Sequence, residues 1–362
     1  MGKISLNDVK WKEFKIEDLF NISLSKGDNQ ANLLLDGNIP LISSGTTNNG
    51  ICKFIKTGDE KSNIFNKNLI TVDMFGKCYY HNYDFYSVSH GRINILFPKF
   101  ILNEFIANFF IVVMENAFKN IFSYNRMCSQ KRLIKMKIML PIDEQENPNL
   151  KFMEDYIKQE TKIQTQKIIS YYENKLNDIL SDFDLEKLKA VKYKNKKYKI
   201  FNFNNIFKEI KRGKRLTKNN QFSGNIPYIS STSLNNGVDN FISNDYNIRK
   251  FNNSLTIANS GSVGSCFYHR YEYIASDHVT ALILENKNEN IHLFMSSIIK
   301  KIEEKYSFNR EIKDERIKKE KIILPVKDDD ETQIDWEYMS NFVANIEKEK
   351  IETVLRYIYI YI

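Results

Sequence analysis

Short apolar runs broken by Gly, Asn and Asp fill the first 150 residues and return after residue 190. Stretches such as IPYIS (226–230), SLTIA (254–258) and SCFYH (265–269) read as strands separated by turns. The Asn49-Gly50 and Asn236-Gly237 pairs predict tight turns. Helical patches are expected around 101–119 and 291–305. A longer helix begins near residue 151. There Met153, Ile157, Ile168, Tyr172, Leu176, Ile179 and Phe183 form one stripe at mostly helical spacing. A last helix starts near Trp336 and carries Met339, Phe342, Val343, Ile346 and Val354.

The pattern returns because the sequence repeats. GNIPLISSGTTNNGICKFI (37–55) and GNIPYISSTSLNNGVDNFI (224–242) lie 187 residues apart. LITVDMFGKCYYHNYDFYSVSHGRINIL (69–96) matches LTIANSGSVGSCFYHRYEYIASDHVTALIL (255–284), with a two-residue insertion in the second copy. SYNRMCSQKRLIKMKIMLP (123–141) matches SFNREIKDERIKKEKIILP (307–325), and FMEDYIKQE (152–160) matches YMSNFVANIE (338–347). The leading segments FKIEDLFNISLSKG (14–27) and FNFNNIFKEIKRG (201–213) correspond too. This period is far longer than that of a solenoid repeat, so the chain is two tandem copies of one domain.

The expected fold is therefore α+β. Two β-rich domains with small helices, 1–150 and 191–335, are separated by a helical spacer at 151–190, and a helical region closes the chain at 336–362. The basic stretch 192–199 reads as the link into the second copy. A helix of about 32 residues is about 48 Å long, against about 34 Å for one turn of DNA. A second helix packed antiparallel on the first, coiled-coil-like, would make the tandem repeat pseudo-twofold. A plain helical linker in a duplicated protein of another function fits the same pattern.

An apolar fraction of 42% suffices for packed cores and excludes a disordered chain. The net charge of +8 favours a polyanionic partner. Cys52, Cys78, Cys128 and Cys266 form no CxxC pair, so neither a zinc site nor a disulfide framework is implied, and isolated thiols fit a reducing cytoplasm. The start MGKISLNDVKWKEF lacks the apolar core of a signal peptide. No apolar run is long enough to span a bilayer, so a cytoplasmic chain without membrane contact is expected.

The copies agree in framework and differ in loops. After the shared Ser43-Ser44 and Ser230-Ser231, Gly45-Thr46-Thr47-Asn48 faces Thr232-Ser233-Leu234-Asn235. Asp73-Met74-Phe75 faces Ala258-Asn259-Ser260-Gly261-Ser262, and Gly91-Arg92 faces Val279-Thr280. Small hydroxyl, amide and guanidinium groups are what base edges and phosphates require; drift of surface loops after duplication is the plain alternative. Lys26 follows the strand of the first leading segment, and Lys211, Arg212, Lys214 and Arg215 crowd the second. Tyr124-Asn125-Arg126 and Phe308-Asn309-Arg310 recur, with the arginines expected on DNA and the rings in the core. The candidate DNA-contacting residues are Lys26, Ser43, Ser44, Thr46, Thr47, Asn48, Arg92 and Arg126 in the first copy. In the second they are Arg212, Lys214, Arg215, Ser230, Ser231, Thr232, Ser233, Asn235, Asn259, Ser260, Ser262 and Arg310.

Paired histidines also recur, His81 with His90 and His269 with His278. A structural role is expected for them rather than a metal or general-base role. Ser276-Asp277-His278 has the letters of a triad, but neighbours on a strand point to opposite faces. Neither GxGxxG nor GxxxxGK[ST] occurs, and no Asn-Pro-Pro-Tyr-like tetrapeptide for base methylation is present. The acidic clusters Asp328–Glu331 and Glu347–Lys350 read as a solvated loop and a helix face. A chain with no catalytic, cofactor or metal centre is expected. A non-DNA scaffold and an autonomous DNA-modifying enzyme are the rival readings.

GNIPYISSTSLNNGVDNFI, SLTIANSGSVGSCFYHRYEYIASDHV and WEYMSNFV in the second copy carry a family resemblance, as do GNIPLISSGTTNNG, GKCYYHNYDFYSVSH and NPNLKFMEDYIKQE in the first. Over essentially its whole length the chain resembles the specificity subunits of type I and type IIB restriction–modification systems. Its Gly-Ser-Val-Gly and Phe-Tyr segments resemble the type IIB group more. The resemblance implies two target-recognition domains, double-stranded DNA as ligand, and a complex with a DNA methyltransferase subunit. A fused or separate restriction subunit can join that complex. It also implies adenine methylation at a bipartite site, with S-adenosylmethionine and any Mg held by partner subunits. Gly261-Ser262-Val263-Gly264 has no full counterpart in the first copy, and the final helix is short.

Overall fold

The computed structural model describes residues 3–89, 92–191, 196–306 and 310–361, in two compact units, 1–167 and 168–362. In the first unit β1 (Trp11–Lys15) passes through the single helical turn α1 (Ile16–Leu19) into β2 (Phe20–Leu24). β3 (Asp36–Ile42), β4 (Ile51–Ile55), β5 (Leu69–Asp73), β6 (Cys78–His81), β7 (Tyr86–Ser87) and β8 (Ile93–Pro98) come next. Then come α2 (Glu104–Phe118), α3 (Gln130–Leu133), β9 (Lys137–Pro141) and the long α4 (Leu150–Asp182), whose last turns belong to the second unit. The strands form a four-stranded sheet β2-β8-β5-β6, a three-stranded sheet β4-β3-β7 and the pair β1-β9.

The four-stranded sheet is covered by α2. Asn103 caps that helix, its side chain accepting from the Ile106 amide at 2.9 Å. The face bearing Ile106, Phe110, Met114 and Phe118 packs with Ile70, Val72 and Leu96 of the sheet. Every residue of β5 is buried, which is why LITVD shows no polar alternation.

The second unit repeats the order. After α5 (Leu185–Ala190) come β10 (Tyr198–Asn202), α6 (Phe203–Ile206), β11 (Glu209–Arg212), β12 (Ser223–Ile229) and β13 (Val238–Ile242). β14 (Lys250–Phe251), β15 (Ser254–Ala258), β16 (Cys266–His269), β17 (Tyr273–Ala275) and β18 (Val279–Ile283) succeed them, then α7 (Glu289–Lys300), α8 (Asp314–Lys318), β19 (Lys321–Pro325) and α9 (Trp336–Tyr361). The sheets are β11-β18-β15-β16, β13-β12-β17-β14 and β10-β19, so among the described residues β14 is the one strand added to the plan of the first unit.

The repetition extends to irregularities. β3 and β4 pair with register shifts between Asp36 and Ile39 and between Leu41 and Ile42. β12 and β13 carry the same two shifts 187 residues on, between Ser223 and Ile226 and between Tyr228 and Ile229. Such bulges bend a strand and re-aim the loop beyond it. The predicted turns are longer than two residues: Asn48, Asn49 and Gly50 all have left-handed φ (49°, 51°, 75°), as do Asn235, Asn236 and Gly237 (49°, 54°, 79°). Asn and Gly are the residues that tolerate this region.

The helices differ from their sequence stripes. Met153 is buried in the core of the first unit. In the second unit Ile169, Tyr172, Leu176, Ile179 and Phe183, with Leu188 of α5, pack against Ala344, Ile351 and Leu355 of α9. The pairs Lys175–Glu347 and Lys187–Glu337 (2.6 Å) run in opposite sequence order, so α9 is antiparallel to α4 and α5 there. Ile168, Ile346 and Val354, placed on the stripes by spacing, are exposed, because the seam is narrow and passes through Ala344, Ile351 and Leu355 instead. The acidic loop is not merely solvated: Asp328 and Asp335 bind Lys196, and Glu331 binds Lys197 and Lys199. Residues 192–195 of the expected link lie outside the described residues. Among the described residues no helix is long and apolar enough to cross a membrane.

Candidate nucleic-acid interface

Backbone hydrogen bonds gather the variable loops of the second unit at one end of its sheets. Ser230 and Gly237 close the loop after β12, the Ser230 amide donating to Gly237 O at 2.9 Å. The Ser262 amide donates to Ser231 O (3.0 Å), and the Asn259 amide to His278 O (2.8 Å). The Gly213 and Lys214 amides donate to Val279 O (2.9 Å) and Ala275 O (3.0 Å). The Ile312 amide donates to Asn259 O at 3.0 Å, which brings in the segment before α8. Close approach requires Gly213, where a Cβ would stand 2.2 Å from the Ala275 and Ser276 carbonyl oxygens.

Most candidates of the second unit thus share one surface. Arg215, Ser233, Asn235 and Arg310 are exposed; Lys214, Ser230, Ser231, Thr232 and Ser262 are half-buried. Lys214 Nζ donates to Asn247 Oδ1 at 2.9 Å. Asn259 is 1% exposed. With its amide oriented to satisfy its neighbours, Asn259 Oδ1 accepts from two Arg212 nitrogens, each at 3.0 Å, and Nδ2 donates to Thr280 Oγ1. Arg212 also binds Asp314 (3.0 Å) and donates to Ile312 O (3.3 Å). Asn259 and Arg212 therefore fasten the surface together from beneath. Ser260 is buried with its hydroxyl 2.7 Å from His278 Nδ1.

The first unit gathers the equivalent segments. The Val88 amide donates to Ile42 O (2.9 Å), Ser44 Oγ to Arg92 O (3.3 Å), Tyr79 OH to Gly45 O (2.9 Å) and the Cys128 amide to Met74 O (2.8 Å). Lys26, Thr46, Thr47, Asn48, Arg92 and Arg126 are exposed, while Ser43 and Ser44 are half-buried. Ser123 and Arg126 exchange backbone bonds of 3.0 and 3.1 Å, making a tight tip. Tyr124 at that tip is 78% exposed, not in the core as expected, because two residues between paired neighbours leave the ring no wall to reach. Gly91, Phe308 and Asn309 lie outside the described residues.

Residues 8–170 and 195–356 each match the family described as the type I restriction modification DNA specificity domain. The chain belongs to that family. This specificity protein is 32% identical over 356 residues to the type II restriction enzyme BgcI specificity subunit S.BcgI of Heyndrickxia coagulans, a match covering 95% of this chain and 97% of the relative. Its fold is similar to the crystal structure of the type-I restriction-modification system S subunit from M. genitalium. The TM-score is 0.56 at 14% identity, over 99% of this chain and 93% of that one.

Strand register gives the true correspondence between the two copies of the specificity domain. His81 pairs with Leu69, and His269 with Ser254, so Asp73 and Met74 occupy the places of Ala258 and Asn259. β2 and β11 in turn equate Leu24 with Arg212 and Lys26 with Lys214. Asp73 and Ala258 face Ile93 and Val279, so Arg92 and His278 both stand immediately before the last strand of their sheets. Pairing Gly91-Arg92 with Val279-Thr280 is therefore two steps out of register. One loop is longer in the second copy, 259–265 against 74–77, and another is shorter, 276–278 against 88–92. The two changes partly cancel, which hid them in the sequence.

The recurring histidines are pins. Thr71 Oγ1 lies 2.8 Å from His81 Nε2, and Thr256 Oγ1 lies 2.8 Å from His269 Nε2. The Tyr83 and Tyr271 hydroxyls meet the other ring nitrogens at 3.1 and 3.2 Å. Burial pulls both imidazoles down to about 4, so they are neutral at neutral pH. His90 lies outside the described residues. Ser276 Oγ accepts from the His278 amide at 3.3 Å, so Ser276-Asp277-His278 is a turn and not a triad. Asp73, buried, accepts from the Phe75 and Lys77 amides (2.8 and 2.9 Å), and burial pushes its carboxyl up. Sequence reasoning missed Asp73 and the roles of Asn259 and His278; the unequal loop lengths were the available sign. Among the described residues no group of three His, Cys, Asp or Glu side chains could hold a metal.

Proposed function

We propose that this chain is the DNA-reading subunit of a restriction–modification complex that methylates adenine at a bipartite site. Each unit reads one half. The observation that carries this is the collection, at one end of each unit, of loops that are separate in sequence, matched in framework and different in side chains. Lys26, Arg92, Arg126, Lys214, Arg215 and Arg310 are the phosphate and guanine contacts. Ser43, Ser44, Thr46, Thr47 and Asn48 in one unit, and Ser230, Ser231, Thr232, Ser233, Asn235 and Ser262 in the other, face base edges and sugar–phosphate oxygens. Arg212, Asn259 and Ser260 position those groups. The likeness to a named specificity subunit supports the assignment of chemistry to a partner. A methyltransferase subunit brings S-adenosylmethionine, a restriction subunit can join it, and this chain supplies the address in the cytoplasm.

The test is long-read mapping of methylated bases in cells with and without the chain. A two-part motif, methylated on adenine and lost on deletion, is expected. Methylation unaffected by deletion, or DNA affinity that does not fall with added salt, contradicts the proposal.

A further inference from the structure

We propose that His278 is a base-reading side chain of the second unit, specific for the N7 edge of a purine. The inference rests on the DNA-reading function above and names what one position of that surface recognises. His278 is exposed, at the meeting point of the loops 259–265 and 276–278. Strand register puts it where Arg92 stands in the first unit, directly before the closing strand of the sheet. The shorter loop 276–278 brings it there, and the longer loop 259–265 supplies Ser260, whose hydroxyl lies 2.7 Å from Nδ1.

That contact and the Asp277 carboxylate together set what the ring offers. With the Ser260 hydroxyl donating to Nδ1, the ring hydrogen stands on Nε2. Asp277 Oδ1, 3.9 Å from Nε2, is too far to take that hydrogen and near enough to favour its being there. The second unit therefore presents one N–H donor where the first presents a guanidinium. Arginine takes both O6 and N7 of guanine; a single donor takes one acceptor, and N7 is the one that adenine and guanine share. Set against N7, His278 reads either purine at that base pair, and thymine O4 is the pyrimidine acceptor that the selection must exclude.

The experiment is selection by the full-length chain from a pool of random duplexes, for wild type, His278→Ala, His278→Arg and Ser260→Ala. Wild type should enrich a two-part sequence in which one position of one half accepts either purine. His278→Ala should lose discrimination there by about three- to tenfold, the worth of one hydrogen bond, with the other half intact. Ser260→Ala should weaken the same position, and His278→Arg should narrow it to guanine. An unchanged motif in all three variants overturns the role of His278 and leaves DNA reading standing. A wild-type chain that enriches no sequence overturns both.

Discussion

Asn259 and Arg212 are joined side chain to side chain in the second unit, where the first unit has Met74 and Leu24 at the equivalent positions. The buried amide holds the guanidinium through two contacts of 3.0 Å. Asn259→Ala removes a buried acceptor from a charged donor. It should cost about 1–3 kcal/mol of the second unit's stability and weaken DNA binding through misplaced loops. Urea unfolding measures the first effect; unchanged stability would mean that Asp314 and Ile312 O hold Arg212 alone.

Lys26 and Arg215 are exposed and reach outward. Each substitution to Ala should lower the slope of log affinity against log salt by about 0.9, one phosphate contact apiece. Unfolding should stay within about 0.5 kcal/mol of wild type. Binding isotherms at several salt concentrations check this; a slope equal to wild type would place the residue off the DNA.

His81 and His269 give the fold an acid limit. Burial lowers each from the ordinary 6.5 to about 4. Above pH 6.5 neither folded nor unfolded chain holds a proton at these sites. Between 6.5 and 4 only the unfolded chain takes one up, so stability falls, and below 4 the loss is complete at about 3 kcal/mol per site. The pH dependence of unfolding between 6.5 and 4 should flatten in His81→Gln and His269→Gln relative to wild type. Parallel curves would remove the histidines from the account.

Much of this was legible in the chain because duplication prints each element twice. Gly37 to Ile55 and Gly224 to Ile242 announced the same strands and turns, and the structure gives both the same bulges. The burial of Asn259, the surface position of Tyr124 and the place of His278 were not legible. Asn259 and His278 depend on strand register, and a three-residue lengthening followed by a two-residue shortening shifts register while nearly restoring the count; Tyr124 depends on the tight Ser123–Arg126 tip. The helical stripes misled at Ile168, Ile346 and Val354 for a different reason. A helix in a two-helix contact buries a narrower face than apolar spacing suggests.

Leu355 and Ile351 test that seam. Both are buried in the cluster that the second half of α4 forms with α9, so either change to Ala should cost about 2–5 kcal/mol. Ile360→Ser, on the exposed side of α9, should stay within about 0.5 kcal/mol. Thermal unfolding of the three variants distinguishes the faces; equal losses would contradict the packing.

The most direct measurement exchanges one loop between copies. Replacing Gly45-Thr46-Thr47 with Thr-Ser-Leu, as at Thr232-Ser233-Leu234, keeps the shared framework on both sides. Long-read methylation mapping should then show one half of the recognised sequence altered and the other retained. A motif unchanged in both halves, methylated at the wild-type level, would contradict reading by these loops.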